Sequence, residues 1–190
     1  MRLFVALSIP DTVAASLALI QGGVPGARWQ TREQMHLTLR FIGEVDGRDM
    51  AAIKDALAGI DAPAFTLELH GVGQFGNSRP HSIWAAARPN PALDHLQRKV
   101  DAAIRRVGQP QDAHKFTPHV TLARMRHPDM DRLRAWLGHN GLYTSAPFDV
   151  EGFHLYSSRL TSDGSIYRVE EDFPLRVFED YGDGDDETGD

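Results

Sequence analysis

Two rhythms of apolar residues run along the chain. In RLFVALSI (2–9) the residues are apolar and β-forming up to Pro10, which reads as a strand. Asp11 is placed to cap a helix that gathers Val13, Leu17 and Ile20 on one face and stops at Gly22-Gly23. HLTLRFIG (36–43) alternates with a period of two, as a half-buried strand does. DGRDMAAIKDALAGI (46–60) returns to the helical period, with Met50, Ile53, Leu57 and Ile60 on one face. FTLELHGVGQF (65–75) and SIWAAAR (82–88) read as two further strands. Leu93, Leu96, Val100, Ile104 and Val107 then trace a long amphipathic helix that ends at Gly108. HVTLAR (119–124) is a strand, and a short helix follows over 129–137, stopped by Gly138. Two late strands, near 147–157 and 165–170, close the order. Strands interleaved with about four helices predict an α+β or α/β class.

Composition sharpens this picture at three points. With 190 residues, 42% of them hydrophobic and 24% charged, the chain suits one globular domain or two small lobes with a shared core. It has no cysteine, which excludes disulfides, thiolate catalysis and thiolate zinc sites. The formal charge of −6 belongs to the end of the chain: EDYGDGDDETGD (179–190) holds seven acids and no base. Residues 1–178 carry 20 basic and 19 acidic side chains, a net of +1. That Gly- and Asp-rich tail has little to bury and is expected to be disordered. The opening apolar run is too short for a signal peptide, and no run approaches the ~20 residues of a membrane helix, so the expected location is cytoplasmic.

The candidate chemistry lies in two strings, HLTL (36–39) and HVTL (119–122), whose histidines are 83 positions apart (119 minus 36). On a strand, residues i and i+2 share a face. His36 and Thr38 therefore point to one side of their strand, as His119 and Thr121 do on theirs, with Leu37, Leu39, Phe41, Val120 and Leu122 on the packed side. A single His-x-Thr reads more readily as an ordinary half-exposed strand, where threonine is at home. Nine histidines and nine threonines yield about 0.4 His-x-Thr strings by chance, and requiring leucine next lowers this to ~0.04. Two such strings are therefore better read as one site. A pair of histidines can supply both the base that activates a nucleophile and the acid that protonates a leaving oxygen, because imidazole titrates near neutrality. The threonine hydroxyls could bond non-bridging phosphate oxygens. Phosphodiester cleavage by this logic needs no metal and no cofactor. No HExxH, paired-carboxylate or GxxxxGK[ST] signature occurs in the chain.

Several longer stretches resemble the RNA 2′,3′-cyclic phosphodiesterases, or 2′-5′ RNA ligases, of the two-histidine phosphoesterase superfamily. They are ARWQTREQMHLTLRFIGEV (27–45), FTPHVTLAR (116–124), the opening RLFVALSIP and the closing LYSSRLTSDGSIYRVEEDFPL (155–175). The resemblance covers residues 1–178 in order. It implies an α+β, bilobal two-histidine phosphoesterase fold: two antiparallel-rich sheets with outer helices, pseudo-two-fold symmetry and the active site in the central cleft. It implies opening of terminal 2′,3′-cyclic phosphates of RNA or nucleotides to 2′-phosphates, with 2′-5′ ligation as a related activity. His119 is assigned the base and His36 the acid. Thr38, Thr121, Arg124 and Phe116 are assigned to substrate binding. The protein is expected to need no metal or cofactor and to work as a monomer without an obligate partner.

Two placements are in tension with simple alternation. Arg124 matches a phosphate-holding arginine of the family, yet strict alternation turns it away from His119, so the strand must bulge or end there, or the side chain must curl around its edge. Arg40 shares the His36 face by alternation and is placed at the cleft rim. Trp29 and Phe116 fit either base stacking or core packing, and Lys115, Arg126 and His114 fit either RNA attraction or ordinary exposure. Tyr156 and Ser157 are weaker candidates for touching substrate. The alternatives to the main reading are a phosphodiesterase for another cyclic phosphate or a 2′-5′ oligonucleotide, and a non-catalytic RNA- or nucleotide-binding module.

Overall fold

The computed structural model describes residues 1–112, 114–161 and 164–177. The acidic stretch 179–190 and its expected disorder lie outside the described residues.

The elements form a unit that occurs twice. The first copy runs β1 (Arg2–Ser8), α1 (Asp11–Leu19), β3 (His36–Glu44), α2 (Gly47–Ala58), β4 (Phe65–Leu67) and β5 (Leu69–Phe75), with a short strand β2 (Ala27–Trp29) and a 3₁₀ turn (Arg32–Gln34) inserted before β3. The second runs β6 (Ser82–Ala87), α3 (Pro91–Arg106), β7 (His119–Met125), α4 (Met130–Asn140), β8 (Phe148–Val150) and β9 (Gly152–Thr161), and β10 (Gly164–Pro174) then folds back on β9. The starts of β3, α2, β4 and β5 each precede their counterparts by 83 positions, for example Phe65 and Phe148 (148 minus 65). The spacing of the two His-x-Thr strings is thus the spacing of the last four elements of a βαβαββ repeat, whose first strand and helix recur after 80 positions (82 minus 2, 91 minus 11).

The strands join in the order β10-β9-β1-β3-β7-β6-β5, with β2 also on β7, while β4 and β8 pair separately. All of these pairings are antiparallel. The expected two sheets are two halves, β10-β9-β1-β3 and β7-β6-β5, and they meet at one residue pair, Leu37 and Val120. Beyond that pair β3 and β7 part, and β2 lies along β7. The central cleft opens on the face shared by both halves.

The opposite face is the core. Leu3, Val5, Leu7, Leu37 and Leu39 from the first half, and Ile83, Ala85, Val120 and Leu122 from the second, are almost wholly buried together with Leu17, Ile53, Leu57, Leu93, Leu96 and Val100 from the helices. Each large aliphatic side chain buried in this way contributes about 1.5–3 kcal/mol. The helices start where their caps direct. The Asp49 N–H donates to Asp46 Oδ1 (2.8 Å) at α2, and Asn90 Oδ1 accepts from the N–H groups of Ala92 and Leu93 at α3, with Pro91 in its first turn.

Local expectations fail at four points. Asp11 does not cap α1: the cap residue is Pro10, no side chain bonds the helix end, and Asp11 is the first helical residue. The stretches 65–75 and 147–157 are each two strands in different sheets, parted at Glu68 and at Glu151. Gly138 does not stop α4, which continues to Asn140. A glycine inside a helix costs only about 1 kcal/mol. Here α4 is held by Trp136, whose Nε1–H donates to the Ile20 carbonyl (2.8 Å), and by the Asn140 amide donating to the Trp136 carbonyl (3.0 Å).

Candidate active site

Each His-x-Thr pair occupies the start of its strand, and each strand is bulged at the leucine that follows. Along β3, Thr38 pairs with Ala6 and Arg40 with Val5, so Leu39 is the extra residue. Along β7, Thr121 pairs with Trp84 and Ala123 with Ile83, so Leu122 is extra. An added residue reverses the alternation beyond it. Leu39 and Arg40 are consequently buried in succession, as are Leu122 and Ala123, and the next residues, Phe41 and Arg124, return to the His-x-Thr face.

The bulge resolves the Arg124 question in favour of a break in the strand: Arg124 lines the same cleft as His36, Thr38, His119, Thr121 and Phe116. Arg40 borders the cleft, as expected, but the bulge carries its side chain inward. That side chain turns to the helix side and is 4% exposed. Its Nε stands 2.9 Å from Asp101 of α3 and its Nη1 3.4 Å from Asp112, and it donates to the carbonyls of Phe41 and Pro110. Arg40 therefore ties the His36 strand to α3 and to the segment leading into the His119 strand.

The two histidines are set in matching ways. His36 Nδ1 lies 2.8 Å from the Gln34 carbonyl and His119 Nδ1 lies 2.6 Å from the Thr117 carbonyl. A carbonyl oxygen only accepts, so the proton sits on Nδ1 and Nε2 is left as the working nitrogen of each ring. Aromatic rings back both imidazoles. Phe4 (4.8 Å between centroids) and Tyr167 (5.0 Å) flank His36, and Tyr156 stacks on Phe4 (5.1 Å) and lies 6.1 Å from the His36 ring. Phe75 (4.8 Å) and Trp84 (6.2 Å) flank His119. Trp84 lies over Gly73, where a Cβ would come within 2.3 Å of its ring, so only glycine leaves space for that wall.

These surroundings set the charge of the pair. Burial pushes the His36 imidazole down to about 4, partly opposed by the Gln34 carbonyl and reinforced by the charges of Arg124 and His119. Burial also lowers His119, with the Thr117 carbonyl opposing and Arg124 reinforcing. Both rings are thus neutral at pH 7 in the empty cleft, and Arg124 acts on both. An anion placed between them would favour the protonated form of one. One neutral and one charged imidazole is the pairing that general acid–base chemistry requires.

The cleft has a volume of about 870 Å³, room for more than a phosphate. Its walls include Arg2, Arg28, Lys115 and Arg124, against one carboxylate, Asp112, which Arg40 engages. Phe116 and Trp29 line the cleft and also pack on the core, and Trp29 meets Trp136 at 5.6 Å. Lys115 and His114 line the cleft too, while Arg126 does not. Tyr156 packs against Phe4 and His36 without lining the cleft, and Ser157 is engaged with Glu170 (2.6 Å). Sequence reasoning missed Arg28, Phe41 and Tyr167. Phe41 is legible afterwards as the 83-residue counterpart of Arg124 (124 minus 41), whereas Arg28 and Tyr167 reach the site only through strand register. No group of three or more histidines, cysteines, aspartates or glutamates that could hold a metal occurs among the described residues.

Comparison with known proteins gives a consistent picture. The model of the 2′-5′ RNA ligase superfamily matches residues 9–161. The RNA 2′,3′-cyclic phosphodiesterase of Archaeoglobus fulgidus is 31% identical over 189 residues, spanning 94% of this chain and 100% of that protein. The RNA 2′,3′-cyclic phosphodiesterase of Thermotoga maritima is 30% identical over 179 residues, spanning 89% and 92%. Among solved structures, TT0787 of Thermus thermophilus superposes with a TM-score of 0.76 at 30% identity, covering 94% of this chain and 100% of that one. LigT of Escherichia coli complexed with 3′-AMP gives a TM-score of 0.72 at 25% identity, covering 92% and 97%.

Proposed function

The chain belongs to the 2′-5′ RNA ligase superfamily, and from that premise we propose that it is an RNA 2′,3′-cyclic phosphodiesterase whose acid and base are His36 and His119. The observation that carries the assignment is the matched pair of imidazoles, each with Nδ1 committed to a backbone carbonyl and Nε2 free, lining one basic cleft.

A terminal cyclic phosphate is a monoanion. Seated between the rings, beside Arg124, it raises the histidine pKa values that burial had lowered and brings one proton into the pair. His119 Nε2 takes a proton from water as the water oxygen bonds to phosphorus. The P–O3′ bond breaks in line with this attack, and His36 passes its proton to O3′. The products are a 2′-phosphate and a 3′-hydroxyl, and the pair has exchanged one proton for another. Arg124 and the hydroxyls of Thr38 and Thr121 hold the non-bridging oxygens, and Phe116 offers a ring to the base. Ligation would use the same groups, with an RNA 5′-hydroxyl in place of water.

The residues needed are all supplied by one chain, which supports an enzyme that acts on RNA as a monomer, with residues 1–178 as its bilobal catalytic domain. No helix among the described residues is long and apolar enough to cross a membrane. The direct test is to incubate the protein with an oligoribonucleotide ending in a 2′,3′-cyclic phosphate, in EDTA, and to identify the product. A 2′-phosphate is expected. If none forms between about pH 5.5 and 8.5, the window in which imidazole changes charge, the reading is refuted.

A further inference from the structure

β2 lies along β7 with Arg28 directly opposite Arg124. Cross-strand partners share a face, with Cβ atoms about 4.5–5.5 Å apart, and like charges so placed destabilise a sheet unless something neutralises them. Among the described residues nothing does so: no carboxylate pairs with either guanidinium, and both line the cleft. Gly164 begins β10 beside the Arg28 guanidinium, where a Cβ would come within 3.9 Å of Cζ, and the Gln34 Nε2–H group donates to the Ser165 carbonyl (2.9 Å) to fix that end of the strand.

The two arginines are not equivalent with respect to the reacting centre. The charge of Arg124 bears on both histidines, whereas Arg28 is not among the charges that depress either one. Arg28 therefore stands one strand further from the acid–base pair, in a cleft of about 870 Å³ whose charged lining residues are mostly cationic. An RNA end presents two anions in that order: the terminal cyclic phosphate, and then the phosphodiester on the 5′ side of the last nucleotide.

Resting on the proposed phosphodiesterase reading, we propose that Arg28 binds this second phosphate, so that the protein distinguishes an RNA end, or a 5′-phosphorylated nucleotide, from a nucleoside 2′,3′-cyclic phosphate with a free 5′-hydroxyl. Arg28 is then a specificity determinant, and Arg124 serves the reacting phosphate.

The test compares kcat/KM on adenosine 2′,3′-cyclic phosphate, on its 5′-phosphorylated form and on the dinucleotide ApA ending in a cyclic phosphate, for the wild type, R28A and R28K. The wild type is expected to favour the two substrates with a second phosphate by about tenfold, as one charge-assisted contact provides. R28A should collapse that ratio towards one, and R28K should recover part of it. The salt dependence on the dinucleotide should also lose about 0.7 in its logarithmic slope, the share of one phosphate on a single strand. A wild type with no preference for the second phosphate overturns the inference. So does an R28A variant whose losses are equal on all three substrates. If the wild type turns over none of the three, the phosphodiesterase reading falls first and takes the inference with it.

Discussion

His36 makes the protein's stability depend on pH in a way that can be worked out. Its imidazole is held at about 4 by burial, whereas the same group in the unfolded chain titrates near 6.5. Above pH 6.5 neither state is protonated there and the residue adds no pH dependence. As pH falls from 6.5 to 4 the unfolded chain takes up a proton that the folded protein refuses, so stability is lost as pH falls through this window. Below pH 4 both states are charged and the loss is complete. A difference of ~2.5 pH units at 1.36 kcal/mol each amounts to about 3 kcal/mol, a large part of a typical folding free energy of about 5–15 kcal/mol. Other groups titrate in the same window, and His119, also lowered, adds in the same direction. A non-titrating variant isolates the His36 share. Urea unfolding of the wild type and His36→Gln at pH 7 and pH 4.5 should show the wild type losing more stability than the variant by about 2–3 kcal/mol, since most of the linkage is spent by then. An NMR titration of the His36 ring should place its midpoint near 4. Equal losses in the two proteins, or a midpoint near 6.5, would refute the claim that the cleft keeps His36 neutral.

Two further outcomes follow from the geometry. Arg40→Met removes the guanidinium that links Asp101, Asp112 and the Pro110 carbonyl. The carboxylates are partly exposed, which puts the cost at about 2–3 kcal/mol, below that of a fully buried pair, and lowers Tm by about 5–10 °C in calorimetry; an unchanged Tm would show that the network is not a strut. The assignment of His36 as acid predicts that a substrate with sulfur in place of O3′, a leaving group that needs no proton, restores turnover to His36→Ala and not to His119→Ala, and the reverse pattern would exchange the two roles.

The acid–base pair was legible in the sequence because it depends on strand alternation and on a repeated four-residue string. His36, Thr38, His119 and Thr121 all face the cleft as period two requires. What lay beyond the strings was not legible, because each bulge falls between residues that could continue a regular strand. Leu39-Arg40 and Leu122-Ala123 carry no mark of the extra residue that moves Arg40 inward and Arg124 outward. Arg28 was hidden for a different reason. Its place opposite Arg124 is a matter of long-range register between positions 96 apart (124 minus 28), which no local pattern encodes. The repeat itself was visible only as a spacing of two histidines. The halves need to share a pattern of faces, not residues, so Phe41 can stand where its counterpart is Arg124, and the βαβαββ symmetry emerges only from the element order.

The central claim is that His36 and His119 act as one acid–base unit on a cyclic phosphodiester. The most direct measurement is kcat/KM of the wild type, His36→Ala, His119→Ala and the double variant on one cyclic-phosphate oligoribonucleotide in EDTA, with folding confirmed by circular dichroism. Each single variant should lose about 10²–10⁴-fold, and the double variant should lose little more than the worse single one, as groups that act together do. A single variant with near-wild-type activity, or a double variant whose loss is the product of two independent losses, would contradict the account.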